Sequence, residues 1–228
     1  MLKMFLLLYH KIKMWTAFLD LLFPRRCLGC GKPGHLACKN CLATLPPAPV
    51  IPISDNILAC FNYEAPLAKK LIWQLKYQGL TSLASDLATP LYERLVEEIA
   101  DLKAYAGNQK IMVTPVPLSA KRARERGYNQ AALLAKALVS LEPESLEYQP
   151  NLVKKIKHTP PQVALKNRSA RLKNLRGAFS AAQDEAEGRV IIVIDDVTTT
   201  GATLSEVMKV LKQSGAETVL GAALAHSE

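Results

Sequence analysis

The sequence lacks the roughly 18 uninterrupted apolar residues that a membrane-spanning helix needs, so a soluble chain is expected. It also lacks an export signal. The apolar run from Phe5 to Tyr9 falls short of a ~7–15-residue signal core and ends in His10-Lys11. Residues 1–23 therefore read as an amphipathic leader helix, or as upstream sequence ahead of a start at Met4 or Met14. No internal repeat is visible in the sequence. Aromatics are scarce at 6%, and the basic segments hold only Tyr128 and Phe179, so they suit phosphates better than stacked bases. Between residues 151 and 176 there is no acid at all, against eight Lys and Arg.

What is present fits one ordinary core plus a small accessory module, since 228 residues at 49% hydrophobic cannot fill two full-sized domains. A formal charge of +9 favours phosphorylated or polyanionic partners without separating nucleotide from nucleic acid. Four of the five cysteines form two C-x-x-C knuckles, Cys27/Cys30 and Cys38/Cys41. Without an export signal, metal ligation is favoured over a disulfide framework, and a cytoplasmic location is expected. Four thiolates suit tetrahedral Zn²⁺ in a structural site, with His35 exposed rather than ligating. The same stretch spells Gly29-x-Gly31-x-x-Gly34, but no strand precedes it and Pro33 interrupts it, so a dinucleotide site is rejected. Cys60, isolated in an apolar run, reads as a small buried hydrophobe.

The spacing divides the chain into a leader (1–23), a zinc-ribbon module with a Pro-rich linker (24–50) and one larger domain (51–228). Residues 15–23 read as a short helix stopped by Pro24. Four prolines in Leu45-Pro-Pro-Ala-Pro-Val-Ile-Pro mark the linker. Ile57 to Tyr63 reads as a strand. Two helical patterns follow, with Leu67, Leu71, Ile72 and Leu75 in the first and Leu83, Leu87, Leu91, Leu95 and Ile99 in the second. Lys110 to Pro117 is strand-like, and Asn129 is placed to cap a helix with Ala132, Leu133, Ala135 and Leu138 on its apolar face. Val190 to Ile194 reads as a buried parallel strand leading into a polar loop, a helix over 202–213 ended near Gly215, and a strand over 218–225. Alternating strands and helices predict an α/β fold whose ligands sit at the carboxyl ends of the strands.

That edge carries the string Val193-Ile-Asp195-Asp196-Val-Thr198-Thr199-Thr200-Gly201-Ala202-Thr203. A loop opening a helix presents unpaired N–H groups and the positive end of a dipole, and Thr hydroxyls with a side-chain-free Gly let a phosphate approach. The two acids either cap the turn or are occupied by ribose hydroxyls or Mg²⁺, since adjacent carboxylates otherwise repel. Ser119 leads into a second basic stretch, with Lys121, Arg122, Arg124 and Arg126. The acid-free segment, with Lys166, Arg168 and Arg171, is either a hood closing over an anion or a polyanion-binding strip.

The Asp-Asp-Val-Thr-Thr-Thr-Gly string resembles the fingerprint of type I phosphoribosyltransferases. Taken with the zinc knuckles, Leu75-Lys76-Tyr77-Gln-Gly79, Pro115-Val-Pro-Leu-Ser119, Arg126-Gly-Tyr-Asn-Gln130, Gln162 to Arg168 and Asn174 to Phe179, the chain looks like the ComF family of competence-associated phosphoribosyltransferase-like proteins. The resemblance begins near residue 18. It implies a type I phosphoribosyltransferase fold, parallel sheet flanked by helices, behind a zinc ribbon. It implies that Asp195 and Asp196 are catalytic acids holding the ribose hydroxyls of phosphoribosyl pyrophosphate, and that Thr198, Thr199, Thr200, Gly201, Ala202 and Thr203 hold its 5-phosphate. Ser119, Arg122, Arg124, Arg126, Lys166, Arg168 and Arg171 then serve the pyrophosphate and hood. Zn²⁺ is structural, and Mg²⁺ accompanies the phosphoribosyl pyrophosphate. Some purine-salvage members place a carboxylate at the position of Thr199; its absence disfavours a 6-oxopurine acceptor. The family is linked to uptake of single-stranded DNA, so the expected activities are phosphoribosyl transfer to an unidentified acceptor or, alternatively, non-catalytic ligand sensing or handling of single-stranded DNA alongside competence proteins.

Overall fold

A computed structural model describes residues 24–49, 56–157 and 174–227. The leader over 1–23 and the hood cations Lys166, Arg168 and Arg171 lie outside the described residues. The chain divides into two compact units, Met1–Thr44 and Leu45–Glu228.

In the smaller unit the backbone folds back on itself at the first knuckle, where Cys27 N–H donates to Lys32 O and Gly31 N–H to Cys27 O, each at 2.8 Å. Gly31 holds φ +76°, a conformation that favours glycine and closes the turn. The short helix α1 (Lys39–Leu42) begins at Cys38 and carries the second knuckle.

The larger unit is built on a five-stranded sheet of β1 (Ile57–Asn62), β2 (Ile111–Pro115), β3 (Leu146–Tyr148), β6 (Val190–Thr198) and β7 (Thr218–His226). Its order is β1-β7-β6-β2-β3, and every pairing is parallel. The central strand β6 is apolar and buried from Val190 to Ile194 because helices cover both faces of such a sheet. The Pro-rich stretch pairs with edge strand β1, where a ladder can lose donors at little cost: Ala48 N–H donates to Cys60 O and Asn62 N–H to Pro46 O. Helix α2 (Pro66–Tyr77) buries Ala68, Leu71, Ile72 and Leu75. The long α3 (Leu83–Ala106) buries the whole expected stripe from Leu83 to Ile99. Cys60 is indeed buried, and burial pushes its thiol up to about 12.

After β2 come α4 (Ala120–Arg126) and α5 (Gln130–Leu141). Asn129 caps α5 as expected, its Oδ1 accepting from Ala131 N–H at 3.0 Å. The buried face of α5 is Ala131, Leu134, Ala135 and Leu138. It is rotated from the expected one, leaving Ala132 and Leu133 half-buried. In so alanine-rich a helix the period alone does not single out one face. A separate antiparallel pair, β4 (Val153–Lys155) and β5 (Phe179–Ala181), flanks the region left undescribed and packs near α7 (Ala202–Gln213). The helix α6 (Gln183–Ala186) leads into β6. Among the described residues no helix is long and apolar enough to cross a membrane.

Candidate functional site

The polar loop expected after Ile194 is instead strand: β6 continues to Thr198, because β7 extends alongside it with Val197 opposite Ala225 and Thr198 opposite His226. The two acids are therefore consecutive strand residues whose side chains leave opposite faces of the sheet. Asp196 is buried, and its Oδ2 lies 2.8 Å from the Lys76 ammonium, which reaches in from the last turn of α2. Asp195 keeps a partial opening to solvent. Burial and the neighbouring Asp196 hold its carboxyl well above the usual range, against a hydrogen bond from the Asp196 N–H and the pull of Lys76. Desolvation opposes the charge on Lys76, yet Asp196 and, more weakly, Asp195 raise it above an ordinary lysine.

Lys76 was missed as a site residue. It was visible in the sequence only as part of Leu75-Lys76-Tyr77, and nothing local says that this lysine points inward while Lys69 points out to Glu64 on the surface. Its neighbours are tied down: Tyr128 Oη donates to Leu75 O at 2.5 Å, and Arg126 donates to Tyr77 Oη at 3.1 Å with its guanidinium 4.9 Å from that ring's centroid. A Mg²⁺ bridging both carboxylates does not fit this arrangement, since the Lys76 ammonium already sits on Asp196.

On the Asp195 side the structure brings in a second lysine, one of the eight cations of the acid-free segment 151–176. Lys155, on β4, has its pKa lowered first by burial and then by the nearby Arg122, with Asp195 pulling the other way. Its ammonium also lies 5.4 Å from the centre of the Phe179 ring. Asp195, Lys155 and Arg122 thus share one electrostatic neighbourhood. The rest of the basic turn is directed elsewhere. Ser119 caps α4, accepting from Arg122 N–H at 3.4 Å. Arg124 Nε donates to Ala120 O, Lys121 pairs with Glu125, and Arg126 stacks on Tyr77.

Beyond Thr198 the chain turns through Thr199, Thr200 and Gly201 into α7. Gly201 holds φ +71° at the helix N-cap, and a Cβ there would meet Ile57 Cδ1 at 3.1 Å. The buried Thr200 Oγ1 has no hydrogen-bond partner among the described residues, although buried hydroxyls almost always have one. Ala202 and Thr203 form the first turn of α7, whose N–H groups face the same loop end. The loop is anchored by buried His226, whose Nε2 lies 2.7 Å from Thr199 O. A partnerless hydroxyl beside a left-handed glycine at the start of a twelve-residue helix has the chemistry to accept an anion.

In the smaller unit the Sγ atoms of Cys27, Cys30, Cys38 and Cys41 all lie within 4.8 Å of one another. His35 is exposed and outside this cluster. Although burial opposes ionisation of Cys27, N–H donors from Cys38, Cys30 and Gly29 bring its thiol down to about 6. The surrounding thiols of Cys30, Cys38 and Cys27 push Cys41 up to about 12. Four thiolates this close cannot all ionise without a cation among them, so the donor set fits a thiophilic tetrahedral ion such as Zn²⁺.

Comparison with known proteins agrees with this anatomy. The phosphoribosyl transferase domain matches residues 124–227, and the parallel sheet with flanking helices is the type I phosphoribosyltransferase fold. Competence protein F of Haemophilus influenzae is 35% identical over 187 residues, covering 80% of this chain and 75% of the relative. DNA utilization protein YhgH of Escherichia coli (strain K12) is 32% identical over 85% of this chain and 80% of its own. Competence protein ComFC of Bacillus subtilis is 28% identical over 83% and 72%. With relatives this similar over so much of both chains, carrying the domain on which β6 and its threonine loop lie, the protein belongs to the ComF family.

Proposed function

We propose that the larger unit binds phosphoribosyl pyrophosphate at the carboxyl edge of its sheet and transfers the phosphoribosyl group, with loss of pyrophosphate, to an acceptor other than a 6-oxopurine. The observation that carries this reading is the buried, partnerless Thr200 hydroxyl beside left-handed Gly201 at the start of α7. Thr198 to Thr203 hold the 5-phosphate, and Asp195, the more open of the two acids, accepts from a ribose hydroxyl. Arg122 and Lys155 face the pyrophosphate, with Ser119 at the head of the same turn. Arg124, Arg126 and the hood cations Lys166, Arg168 and Arg171 add positive potential. As the bond from C1 to the pyrophosphate oxygen lengthens, negative charge grows on the leaving group and positive charge on the sugar; preorganised cations stabilise the first and Asp195 the second. The acceptor's nucleophile then bonds to C1. Mg²⁺ would accompany the bound phosphoribosyl pyrophosphate, structural Zn²⁺ would be held by Cys27, Cys30, Cys38 and Cys41 in the smaller unit, and the setting is the cytoplasm.

A second reading, handling of single-stranded DNA with competence proteins, has one specific observation in its favour. The aromatics missing from the basic segments are supplied by α2: Trp73 and Tyr77 are 49% and 56% exposed, with ring centroids 6.1 Å apart, and Arg126 lies against Tyr77. Bases stack on such platforms. Relatives named for competence and DNA utilization suit this reading.

Calorimetric titration of the zinc-loaded protein with phosphoribosyl pyrophosphate and Mg²⁺, beside a single-stranded oligonucleotide at two salt concentrations, separates the two. Saturable sugar-phosphate binding that is lost in Asp195→Asn is expected. Its absence, with oligonucleotide binding that weakens steeply in salt and disappears in Trp73→Ala/Tyr77→Ala, would favour the DNA reading instead.

A further inference from the structure

The Lys76–Asp196 contact is a buried ion pair, with side-chain exposures of 17% and 6%. Asp196 Oδ2 accepts no hydrogen bond from any other group among the described residues, so Lys76 is its companion there. The lysine is also preorganised. Its two neighbours along α2 are held from the stretch after β2, Leu75 O by Tyr128 and Tyr77 by Arg126. A divalent cation placed on the same oxygen would stand within a few ångströms of a fixed ammonium in a poorly screened interior, where like charges repel strongly. Mg²⁺ moreover demands a near-octahedral oxygen shell and gives up its waters reluctantly, whereas Asp196 Oδ2 here already has the Lys76 ammonium at 2.8 Å.

We infer that Lys76 is the resident counter-cation of the acid pair, a positioning residue through which the site holds a sugar phosphate without a divalent cation bridging the carboxylates. This rests on the sugar-phosphate reading above. The Lys76 ammonium neutralises Asp196 from within, which leaves Asp195 to the ribose hydroxyls and confines any Mg²⁺ to the pyrophosphate end of the ligand.

Ribose 5-phosphate tests the idea, because it has no pyrophosphate to carry metal. Its affinity is measured by calorimetry for wild type and Lys76→Met, each in EDTA and in millimolar MgCl₂, with binding of Mn²⁺ to the ligand-free proteins followed by paramagnetic relaxation. Wild-type affinity is expected to change less than ~2-fold between EDTA and Mg²⁺, with no Mn²⁺ held at the acids. Lys76→Met is expected to weaken on the order of tenfold in EDTA, to recover on adding Mg²⁺, and to gain a Mn²⁺ site. A lysine needed only for folding would not produce that metal dependence. A wild-type affinity that rises tenfold or more with Mg²⁺ overturns the inference whatever the variant does, including a variant that fails to fold. So does a folded Lys76→Met protein whose affinity is indifferent to metal. No ribose 5-phosphate binding by wild type in either condition overturns the proposed function itself, and the inference with it.

Discussion

Asp195 and Asp196 share a peptide bond but differ in their effect on stability. Asp196 is held by Lys76 at 2.8 Å, whereas the carboxyl of Asp195 is raised by burial and by Asp196. A group whose pKa is raised on folding favours the folded state below its unfolded value, and that contribution is lost as pH rises toward the folded value. At neutral pH the raised Asp195 carboxyl therefore costs the ligand-free domain stability. Asp195→Asn is expected to stabilise that domain by about 1 kcal/mol, the size of a relieved functional-site strain, while abolishing sugar-phosphate binding; thermal melts with and without ligand check both halves. Asp196→Asn should do the opposite to stability, losing about 3–5 kcal/mol because a buried ammonium is left without its partner. Equal melting shifts for the two substitutions would contradict the division of labour between the acids. At Gly201, where φ is +71° and a Cβ would lie 3.1 Å from Ile57, Gly201→Ala should cost about 1 kcal/mol or more and weaken inorganic phosphate binding, read by the same titration.

At the scale of elements, the antiparallel pair β4 and β5 brings Lys155 toward the end of β6, and no single stretch of sequence announces this. The Lys155 ammonium is destabilised by burial and by Arg122, so it deprotonates below the ordinary lysine range. Pyrophosphate affinity should therefore fall on the alkaline side earlier than an ordinary lysine would cause, and Lys155→Met should flatten that limb while weakening binding near neutrality; titration with pyrophosphate from pH 7 to 10 reads both. An unchanged limb in the variant would place the titrating group elsewhere. The sequence exposed those parts of the site that are local in the chain. The acid pair, the threonines, Gly201 and the helix after them are contiguous, and the apolar run before them marks the buried strand. What it hid depends on pairing between distant segments. The extension of β6 to Thr198 needs β7 beside it, and the inward course of Lys76 to Asp196 depends on where α2 packs. The face of α5 was misjudged for a related reason: its alanines bury equally well on either side until neighbouring helices choose.

For the whole molecule, the two units differ in what can hold each together. The larger has a continuous core of strand and helix side chains, from Ile57 and Val193 through Leu204 to Ala223. In the smaller, the buried hydrophobics among the described residues are Cys27, Ala37 and Leu42, a small apolar contribution from residues 24–44. An ion bound by the four thiols, which lie within 4.8 Å of one another, would supply stability that apolar burial among the described residues does not. Chelation should accordingly release one Zn²⁺ per chain, make all four thiols reactive and open the smaller unit to proteolysis. The main thermal transition of the larger unit should move by less than the ~2–4 °C that 1 kcal/mol produces in a domain of this size. Cys27→Ser should reproduce that pattern at once, since it removes a ligand thiol that N–H donors bring down to about 6. Acid should reproduce it reversibly, because protons compete with the metal for the thiolates as pH falls. If the larger unit instead melts with loss of zinc, the metal supports the transferase-type fold directly, and the smaller unit is part of its folding rather than a separately stabilised module.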